Sequence, residues 1–403
     1  MRILYYSPHP TLSLRDKAGY ATHMRSMMAA FRQLGHDLYP HIMGGGDSDS
    51  SDVAQSTPHT VFKKAGRYVI PKIVWSSLKD YRLVQIDRRY KYNLSDIINS
   101  FKPDLIYERA NYLQTSGIEV ARDHGIFHIL EINSPLVEER TVLGERTLFY
   151  KKARSIERWQ LKNTNICVVV SSALEKYFRK MYNIDDIEYM ITPNAVNVDD
   201  VRVDNEKKRS IIDKYKLHGN ITIGFVGSFF KWHGLDILIK SFKIVSTSRD
   251  NIRLLIVGDG SIMHMLKKMV EDLGLSGKVN FTGSVDHREV YTYIDCMDIA
   301  VLPNSHWYGS PVKLFEYGAL GKAIIAPDNA PVRDVMVDGI DGLLVSPSVS
   351  SLTDKIETLL NNKELRSKIG NSFRSKVFNN YTWAKNAERI LEKYIYDNKP
   401  VKL

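Results

Sequence analysis

The feature that most constrains the fold is a repeated alternation of short apolar runs with segments of helical length. The runs are nearly continuous rather than alternating with polar residues, which is typical of parallel strands buried on both faces. The first half contains such runs at 2–7, 37–42, 104–109, 126–132, 165–172 and 188–193. The second half contains them at 221–228, 252–260, 278–284, 298–303, 322–327 and 342–347. The pattern predicts an α/β chain with two parallel sheets.

A chain of 403 residues is also too long for one ordinary core, so two domains are expected. We predict a first domain over 1–195, a charged and turn-rich linker over 196–219, and a second domain over 220–375. The remainder, 376–403, is predicted to be helical, with the stretch near 383–397 crossing back to the first domain. Ligands of open parallel sheets bind at the carboxyl ends of the strands, so a cleft between the two domains is the expected site.

Several features predict a cytoplasmic protein. The start, MRILYYSPHP, reads as a first strand and lacks the regions of a signal peptide, and no apolar run is long enough to span a membrane. Cys167 and Cys296 each lie in an apolar run, as buried reduced thiols do. The Gly/Ser/Asp-rich stretch 44–56 is predicted to be a mobile loop.

The net charge is +10, with a local concentration of basic residues in 61–92. That segment contains nine Lys and Arg, two Asp and several aromatic residues. It fits a solvated helical face, a patch that meets anionic lipid on the inner face of the cytoplasmic membrane, or a nucleic-acid site. No zinc spacing and no nucleic-acid-binding module accompanies it, so no nucleic-acid partner is expected.

The first candidate site is the segment YGSPVKLFEYG, residues 308–318, which follows an apolar strand. Pro311 suits the start of a helix, whose unpaired N–H groups and positive dipole attract phosphate. Lys313 lies in the first helical turn, where a cation is unfavourable unless an anion binds there. Glu316 lies three residues later on the same face, within reach of ribose hydroxyls. A surface ion pair is the alternative interpretation of this spacing.

Two further segments at strand ends carry glycines. GSFFKWHG, residues 227–234, combines a backbone that can approach phosphate with Lys231 as a point charge. His233 is either a donor to phosphate or a helix-capping residue. The sequence Gly258-Asp259-Gly260 is a weak dinucleotide fingerprint, because Met263 stands where the third glycine would be.

Taken in order, GSFFKWHG, LLIVGDG, FTGSV, DIAVLP and SPVKLFEYGALGKAIIA resemble the second domain of the retaining glycosyltransferases of family 4. The resemblance covers about 221–347. The segments KAGYATHM, YER (107–109) and EINSP (131–135) resemble the first domain more loosely. It implies the GT-B fold, in which two Rossmann-like domains face each other across a cleft. It also implies a nucleotide-diphosphate sugar donor, UDP- or GDP-linked, with retention of configuration and no metal or other cofactor.

The resemblance assigns roles to individual residues. Glu316 would bind the ribose, Lys231 and Lys313 the diphosphate, while Gly227 and Gly19 would let the backbone approach it. Glu131 and Asn133 are the catalytic candidates of the first domain. The other donor-side positions are Ser228, His233, Gly258, Ser284, Val285, Tyr308, Gly309, Ser310, Pro311 and Val312.

Three positions depart from the family pattern. Tyr308 occupies the place of the first of two glutamates that many members carry eight positions apart. Ser228 replaces an arginine after the strand glycine, which leaves more of the phosphate binding to Lys231. A first-domain histidine near the reacting sugar is replaced in the neighbourhood of Asn133 and Glu131. These changes bear on sugar recognition more than on the class of donor.

The expected reaction is transfer of a sugar to a glycan, glycolipid or other acceptor, as in the synthesis of cell-surface polysaccharides. No carboxylate pair for a two-step retaining mechanism is identified, so the acceptor is expected to attack on the leaving group's own face. Three alternatives remain. They are a nucleotide-sugar epimerase of the same fold, a non-catalytic nucleotide-sugar-binding protein, and a nicotinamide-dependent dehydrogenase suggested by Gly258-Asp259-Gly260.

Overall fold

The computed structural model describes residues 1–16, 19–45 and 71–398. The chain divides into two units. The first unit takes its described residues from Met1–Thr192 and from Ala387 onwards, and the second is Pro193–Asn386. Each unit is built on its own parallel sheet of six strands. The predicted α/β architecture, with two parallel-sheet halves, is therefore confirmed.

The first sheet has the strand order β2-β1-β3-β4-β5-β6, with all neighbours parallel. Its strands are β1 Arg2–Ser7, β2 Asp37–Ile42, β3 Leu105–Arg109, β4 Phe127–Ile132, β5 Ile166–Val169 and β6 Tyr189–Ile191. The central strands are buried on both faces, which explains their continuous apolar sequence. Each coincides with a run predicted from the sequence.

Helices of the described part of the first unit connect these strands. They are α1 Gly19–Gln33, α2 Lys72–Phe101, α3 Ser116–Asp123, α4 Leu136–Val142, α5 Tyr150–Asn163 and α6 Ser172–Tyr182. Helix α2 carries the buried Asp87, whose carboxylate accepts hydrogen bonds from the backbone N–H groups of Thr115 (2.7 Å) and Ser116 (3.4 Å). Asp87 thereby satisfies two donors at the start of α3 and fixes α2 against α3.

The second sheet has the order β12-β11-β10-β7-β8-β9, again with parallel neighbours. Its strands are β7 Ile221–Val226, β8 Ile252–Val257, β9 Val279–Phe281, β10 Ile299–Val301, β11 Ala323–Pro327 and β12 Leu343–Val345. The helices are α7 Asn205–Lys214, α8 Leu235–Val245, α9 Met263–Asp272, α10 Val290–Asp295, α11 Val312–Ala319, α12 Ala330–Arg333, α13 Val349–Asn361, α14 Lys363–Asn380 and α15 Trp383–Asp397. One apolar core joins this sheet to its helices.

The structure differs from the predicted domain limits at two places. The predicted linker 196–219 contains α7, and its Ile211 is buried in the core of the second unit. This helix was missed because its other faces are charged. The predicted C-terminal segment from 376 begins inside α14, which belongs to the second unit.

Helix α15 begins in the second unit and continues into the first. Tyr394 packs edge-to-face on Phe127 with ring centroids 5.1 Å apart, and Lys393 pairs with Glu188 at 3.0 Å. Cys167 and Cys296 are both buried free thiols. Of the predicted loop 44–56, residues 46–56 lie outside the described residues, as do 61–70 of the basic segment.

Candidate active site

Two glycines bring neighbouring strand ends of the second unit into close contact. Gly227 follows β7 with φ +142°, and Gly258 follows β8 with φ +128°. A Cβ atom on Gly258 would lie 2.0 Å from the carbonyl oxygen of Gly227. Only glycine fits there, because both the positive φ and the close backbone contact exclude a side chain. The glycines predicted to approach a ligand therefore also shape this edge of the sheet.

Lys313 lies over the first of these glycines. A Cβ atom built on Gly227 would be 2.9 Å from Lys313 Nζ, so the missing side chain leaves the space that the ammonium occupies. Lys313 Nζ also lies 3.1 Å from His233 Nε2 and 4.7 Å from the centroid of the Phe225 ring. The sequence analysis named three residues from two motifs, and the structure brings them into contact. They are Lys313, His233 and Gly227.

The hydrogen bonds of His233 define its protonation. The Nδ1 atom lies 2.7 Å from the carbonyl oxygen of Ser228, so Nδ1–H donates and Nε2 accepts from Lys313. Burial lowers the pKa of His233 to about 3, and the charge of Lys313 contributes further. A neutral imidazole is therefore expected at ordinary pH, and it acts as a support for the Lys313 ammonium.

The electrostatic surroundings of Lys313 favour an anion. The residue is half-buried in the first turn of α11, which contains no acidic residue. Among the described residues no carboxylate lies within ion-pair distance of its Nζ atom. Burial lowers the pKa of Lys313 to about 8, partly offset by the charge of Glu316. A cation held beside a helix N-terminus without a counter-ion provides a site for a phosphate.

Glu316 lies one turn further along α11. The side chain is buried, and within the described part of the chain its carboxylate makes no hydrogen bond or ion pair. Burial raises the pKa of Glu316, whereas the charges of His287 and Lys313 lower it in part. A buried carboxylate with free acceptor positions is costly unless a ligand donates to it. Hydroxyl groups of a sugar would meet this need.

The segment before α11 is held by the backbone and the side chain of Asn194, in the same unit. Ser310 Oγ accepts from the backbone N–H of Asn194 at 2.9 Å, and the Asn194 amide donates to the Ser310 carbonyl at 2.6 Å. Pro311 precedes the first helical residue, Val312, as predicted. Tyr308 is buried and stacks on His306 with centroids 5.1 Å apart, and Gly309 lies between these anchored positions. The Lys313 backbone is thereby fixed.

The other donor-side residues predicted for the second unit lie at the same strand ends. Lys231 opens the 3₁₀ turn Lys231–His233, where its side chain is exposed. Ser284 is exposed and Val285 half-buried, just after the backbone pairing of Gly258 with Gly283. Lys231 thus starts the turn that ends in the Lys313-binding histidine, although it is not buried with Lys313.

Glu131 forms a second charged cluster, at the carboxyl end of β4 in the first unit. It is 2% exposed and lies 2.7 Å from Arg109 Nη1, 3.1 Å from His23 Nε2 and 2.9 Å from the Tyr107 hydroxyl. The Asn133 amide also donates to it. Burial alone would raise the pKa of Glu131, but His23, Arg109 and Asn133 together lower it to about 2. Glu131 is therefore an ionised anchor for its neighbours.

The remaining predicted residue of the first unit is Gly19, which begins α1. No described atom lies within 4 Å of a Cβ atom built there, so no internal contact requires glycine. His23 and Arg109 were not predicted. Arg109 is in register with Glu131 on the neighbouring strand, and this pairing of two charged strand ends was the available signal. His23 follows Gly19 by one helical turn.

The predicted site residues therefore fall into two sets. Gly19, Glu131 and Asn133 belong to the first unit, and all the others belong to the second. The second set provides cations, open backbone and a free carboxylate, a combination suited to a diphosphate attached to a sugar. Among the described residues no cluster of three metal-binding side chains is present.

Comparison with known families divides the chain at nearly the same place. Residues 18–200 match the family model described as Glycosyltransferase Family 4. Residues 207–376 match the model described as Glycosyl transferases group 1. The two matches together cover most of the chain.

Two curated relatives illustrate the range of similarity. An uncharacterized glycosyltransferase of Methanocaldococcus jannaschii is 25% identical over 252 residues, which are 61% of this chain and 62% of the relative. A GDP-mannose-dependent alpha-(1-6)-phosphatidylinositol monomannoside mannosyltransferase of Mycobacterium tuberculosis is 24% identical over 248 residues, 60% of this chain and 64% of the relative. The chain thus matches just under two thirds of the length of these proteins.

Solved structures share the fold over almost the whole chain. A glycosyltransferase of Rickettsia africae aligns with a TM-score of 0.73 at 18% identity, covering 99% of each chain. The Anabaena protein HepE, solved in complex with UDP, aligns with a TM-score of 0.70 at 12% identity, covering 98% of this chain and 100% of HepE. At these identities the comparison shows the GT-B fold alone.

Proposed function

Because the chain belongs to the glycosyltransferases, with a family 4 first half and a group 1 second half, we propose that it transfers a sugar from a nucleotide-diphosphate sugar. The acceptor is a glycan or a glycolipid. Support comes from the relatives, among them a GDP-mannose-dependent enzyme that acts on a phosphatidylinositol mannoside. HepE, which shares the fold, has been solved with UDP and with UDP-glucose.

The observation that carries the proposal is the half-buried Lys313 at the start of α11, which has no carboxylate partner in the part of the chain that the structure describes. Its ammonium rests on the Gly227 backbone and on a neutral His233. A diphosphate oxygen that bound Lys313 Nζ would also meet the unpaired N–H groups of the helix start. Exposed Lys231, at the opening of the neighbouring turn, adds charge for the outer phosphate oxygens.

Glu316 gives the nucleotide its orientation in this proposal. The ribose hydroxyls donate to the buried carboxylate, which otherwise has no hydrogen-bond donor among the described residues. The hydrogen bonds stabilise the ionised form against the effect of burial, which raises the Glu316 pKa. Lys313 thus binds the diphosphate, and Glu316, three residues later on the same helix face, binds the ribose.

Cleavage of the bond between sugar and diphosphate leaves negative charge on the departing phosphate and positive character on the sugar ring. The Lys313 ammonium and the α11 N-terminus stabilise that negative charge, so that no divalent metal is required for it. The acceptor hydroxyl attacks on the face from which the phosphate departs, and a phosphate oxygen takes its proton. This course retains the anomeric configuration and needs no carboxylate nucleophile.

Glu131 supports the first-unit cluster without exchanging protons. Its pKa of about 2 keeps it ionised, and it orients His23, Arg109 and the Asn133 amide. These three side chains bear donors that suit sugar hydroxyls. We place Gly19 beside the same cluster, because it lies one helical turn before His23.

The proposal is tested by incubating the protein with UDP- and GDP-sugars in the presence of membrane and glycan extracts, with and without EDTA. Transfer of radiolabelled sugar to an extract component, unaffected by EDTA, supports it. NMR of the donor with enzyme alone separates an epimerase, which would convert the donor without any acceptor. Donor binding without transfer to any acceptor would identify a binding protein instead.

A further inference from the structure

Exposed apolar side chains are concentrated on two segments of the first unit. The first is the start of α2, where Trp75 is 46%, Leu78 52% and Tyr81 55% exposed. The second is the turn between α4 and α5, where Leu143 is 66% and Leu148 75% exposed. Such side chains on a water-facing surface mark a place where another phase or molecule binds.

The two segments form one surface, because α2 holds the turn. Ser77 Oγ accepts a hydrogen bond from the backbone N–H of Leu148 at 2.9 Å and lies 3.4 Å from Thr147 Oγ1. Beneath them, Leu83 of α2 and Phe149 of the turn both pack against one small buried core. We call the exposed parts of 72–82 and 142–152 the apolar-basic surface.

Basic residues surround the apolar side chains of this surface. They are Lys72, Lys79, Arg82, Arg146, Lys151 and Lys152, all exposed. The exposed acidic residue in these segments, Glu145, is paired with Arg140, and Asp80 is buried and paired with the same arginine. The surface therefore carries an uncompensated positive charge around an apolar centre.

Helical spacing gives α2 the form of an interfacial helix. Trp75, Leu78 and Tyr81 recur every three residues on the outer side, whereas Ser77 and Asp80 are buried on the inner side. Helices that lie in a membrane interface combine apolar and aromatic side chains on one side with Lys and Arg beside them. None of the described helices combines the length and the apolarity that crossing a bilayer demands.

We propose that the apolar-basic surface binds the first unit to a bilayer that contains anionic lipid. Trp75, Leu78 and Leu148 enter the boundary between headgroups and acyl chains, while the surrounding lysines and arginines meet lipid phosphates. The inference rests on the proposed function only in that a glycolipid acceptor would lie in the same bilayer. Charge favours lipid over a second copy of the chain, since a two-fold contact would place these basic residues against themselves.

Flotation of the full chain with vesicles tests the proposal. Vesicles of equal parts phosphatidylglycerol and phosphatidylcholine are compared with pure phosphatidylcholine, and binding to the anionic vesicles should decrease as salt rises. The apolar variant Trp75→Ser/Leu78→Ser/Leu148→Ser should lower vesicle binding at least tenfold. The basic variant Lys72→Gln/Lys79→Gln/Arg82→Gln should do the same, because each charge is worth about fivefold.

Matched controls replace exposed residues of the same chemical type in the second unit. They are Ile244→Ser/Met265→Ser/Ile340→Ser for apolar area and Lys243→Gln/Lys267→Gln/Lys268→Gln for charge. Both should float like the wild type, and circular dichroism should show all variants folded. The proposal is overturned if the wild type does not prefer anionic vesicles or if test and control variants lose binding equally. Concentration-dependent dimerisation abolished by the apolar variant would also overturn it.

The readout is independent of the transferase proposal. If the protein binds vesicles but no nucleotide diphosphate, the membrane-binding proposal stands and the transferase proposal fails. If it binds a nucleotide diphosphate but not vesicles, the transferase proposal stands and the membrane-binding proposal fails.

Discussion

Lys313 Nζ lies 3.1 Å from His233 Nε2, so a lysine at the start of one helix rests on a histidine at the end of a 3₁₀ turn eighty residues earlier. Because His233 Nδ1–H is committed to the Ser228 carbonyl, Nε2 is available only as an acceptor. The contact holds the ammonium in place without neutralising it. The candidate site thus holds a cation in a fixed position, where it can bind an anion.

Replacing that cation should weaken donor binding. Lys313→Met keeps most of the side-chain volume and removes the charge, so we expect the Kd for a nucleotide diphosphate to rise about ten- to a hundredfold, as for a lost charged hydrogen bond. Isothermal titration calorimetry with UDP and GDP measures it. Lys240→Met, at an exposed lysine paired with Asp236, is the control. Equal affinity in wild type and Lys313→Met would remove Lys313 from the site.

Donor affinity should depend on pH in a way set by Lys313. Its pKa of about 8 means that the free protein loses this charge above pH 8, whereas a bound diphosphate raises the pKa. Affinity should therefore fall by up to about tenfold per pH unit above pH 8, until the pKa of the bound state is reached. The decline should be absent in Lys313→Met. A decline of the same slope in the variant would assign it to another group.

The same substitution should stabilise the empty protein. The folded-state pKa of Lys313 lies below the ordinary 10.5, so its charge opposes folding fully below pH 8, and this cost disappears between pH 8 and 10.5. Lys313→Met should raise Tm at pH 7 by roughly 2–4 °C for each kcal/mol gained. The gain should shrink as pH rises above 8. A lower Tm at pH 7 would contradict the interpretation that the charge of Lys313 opposes folding.

Glu316→Gln should distinguish the contribution of the ribose to nucleotide binding from that of the diphosphate. We expect weaker binding of UDP, at least tenfold, with little change in the binding of inorganic pyrophosphate, because only the nucleotide has hydroxyls for Glu316. Lys313→Met should weaken both ligands. Competition against a fluorescent nucleotide gives both constants. A Glu316→Gln protein that binds pyrophosphate and UDP equally less well would show that Glu316 acts only through Lys313.

Glu131→Gln should destabilise the first unit, by about 3 kcal/mol at neutral pH, because the Arg109 guanidinium loses its buried counter-charge. The folded-state pKa of about 2 lies below the ordinary 4.5, so this contribution is complete above pH 4.5 and is lost as pH falls towards 2. Denaturant unfolding curves of the two proteins should therefore approach each other in acid. Glu357→Gln, at an exposed position, is the control. If the difference in the free energy of unfolding between wild type and Glu131→Gln stayed constant down to pH 2, the assigned role of Glu131 would be contradicted.

Most residues of the second unit's candidate site could be named from the sequence, because the patterns that point to them are local. Gly227 and Gly258 mark strand ends, and Lys313 and Glu316 share one helical turn. The His233–Lys313 contact was not predicted, since it depends on how the 3₁₀ turn and α11 pack together. Lys231 and Lys313 were predicted to act alike, but the structure exposes one and half-buries the other.

The first unit shows where local patterns are insufficient. Glu131 was chosen from a family-like segment, whereas Arg109 and His23 reach it through strand register and helix packing. Helix α7 was interpreted as a linker, since Ile211 is its one buried residue and Ile212 its one other apolar residue in a mostly charged and polar helix. Likewise, the turn around Leu148 is joined to the basic segment of α2 by long-range contacts, among them the hydrogen bond from Leu148 N–H to Ser77.

The most direct test of the central claim is a crystal structure of the protein with a nucleotide diphosphate that binds it. We predict a diphosphate oxygen within hydrogen-bond distance of Lys313 Nζ, at the N-terminus of α11, with the ribose hydroxyls on Glu316. A diphosphate bound elsewhere, with Lys313 still resting only on His233 and Glu316 contacting no ligand, would contradict it.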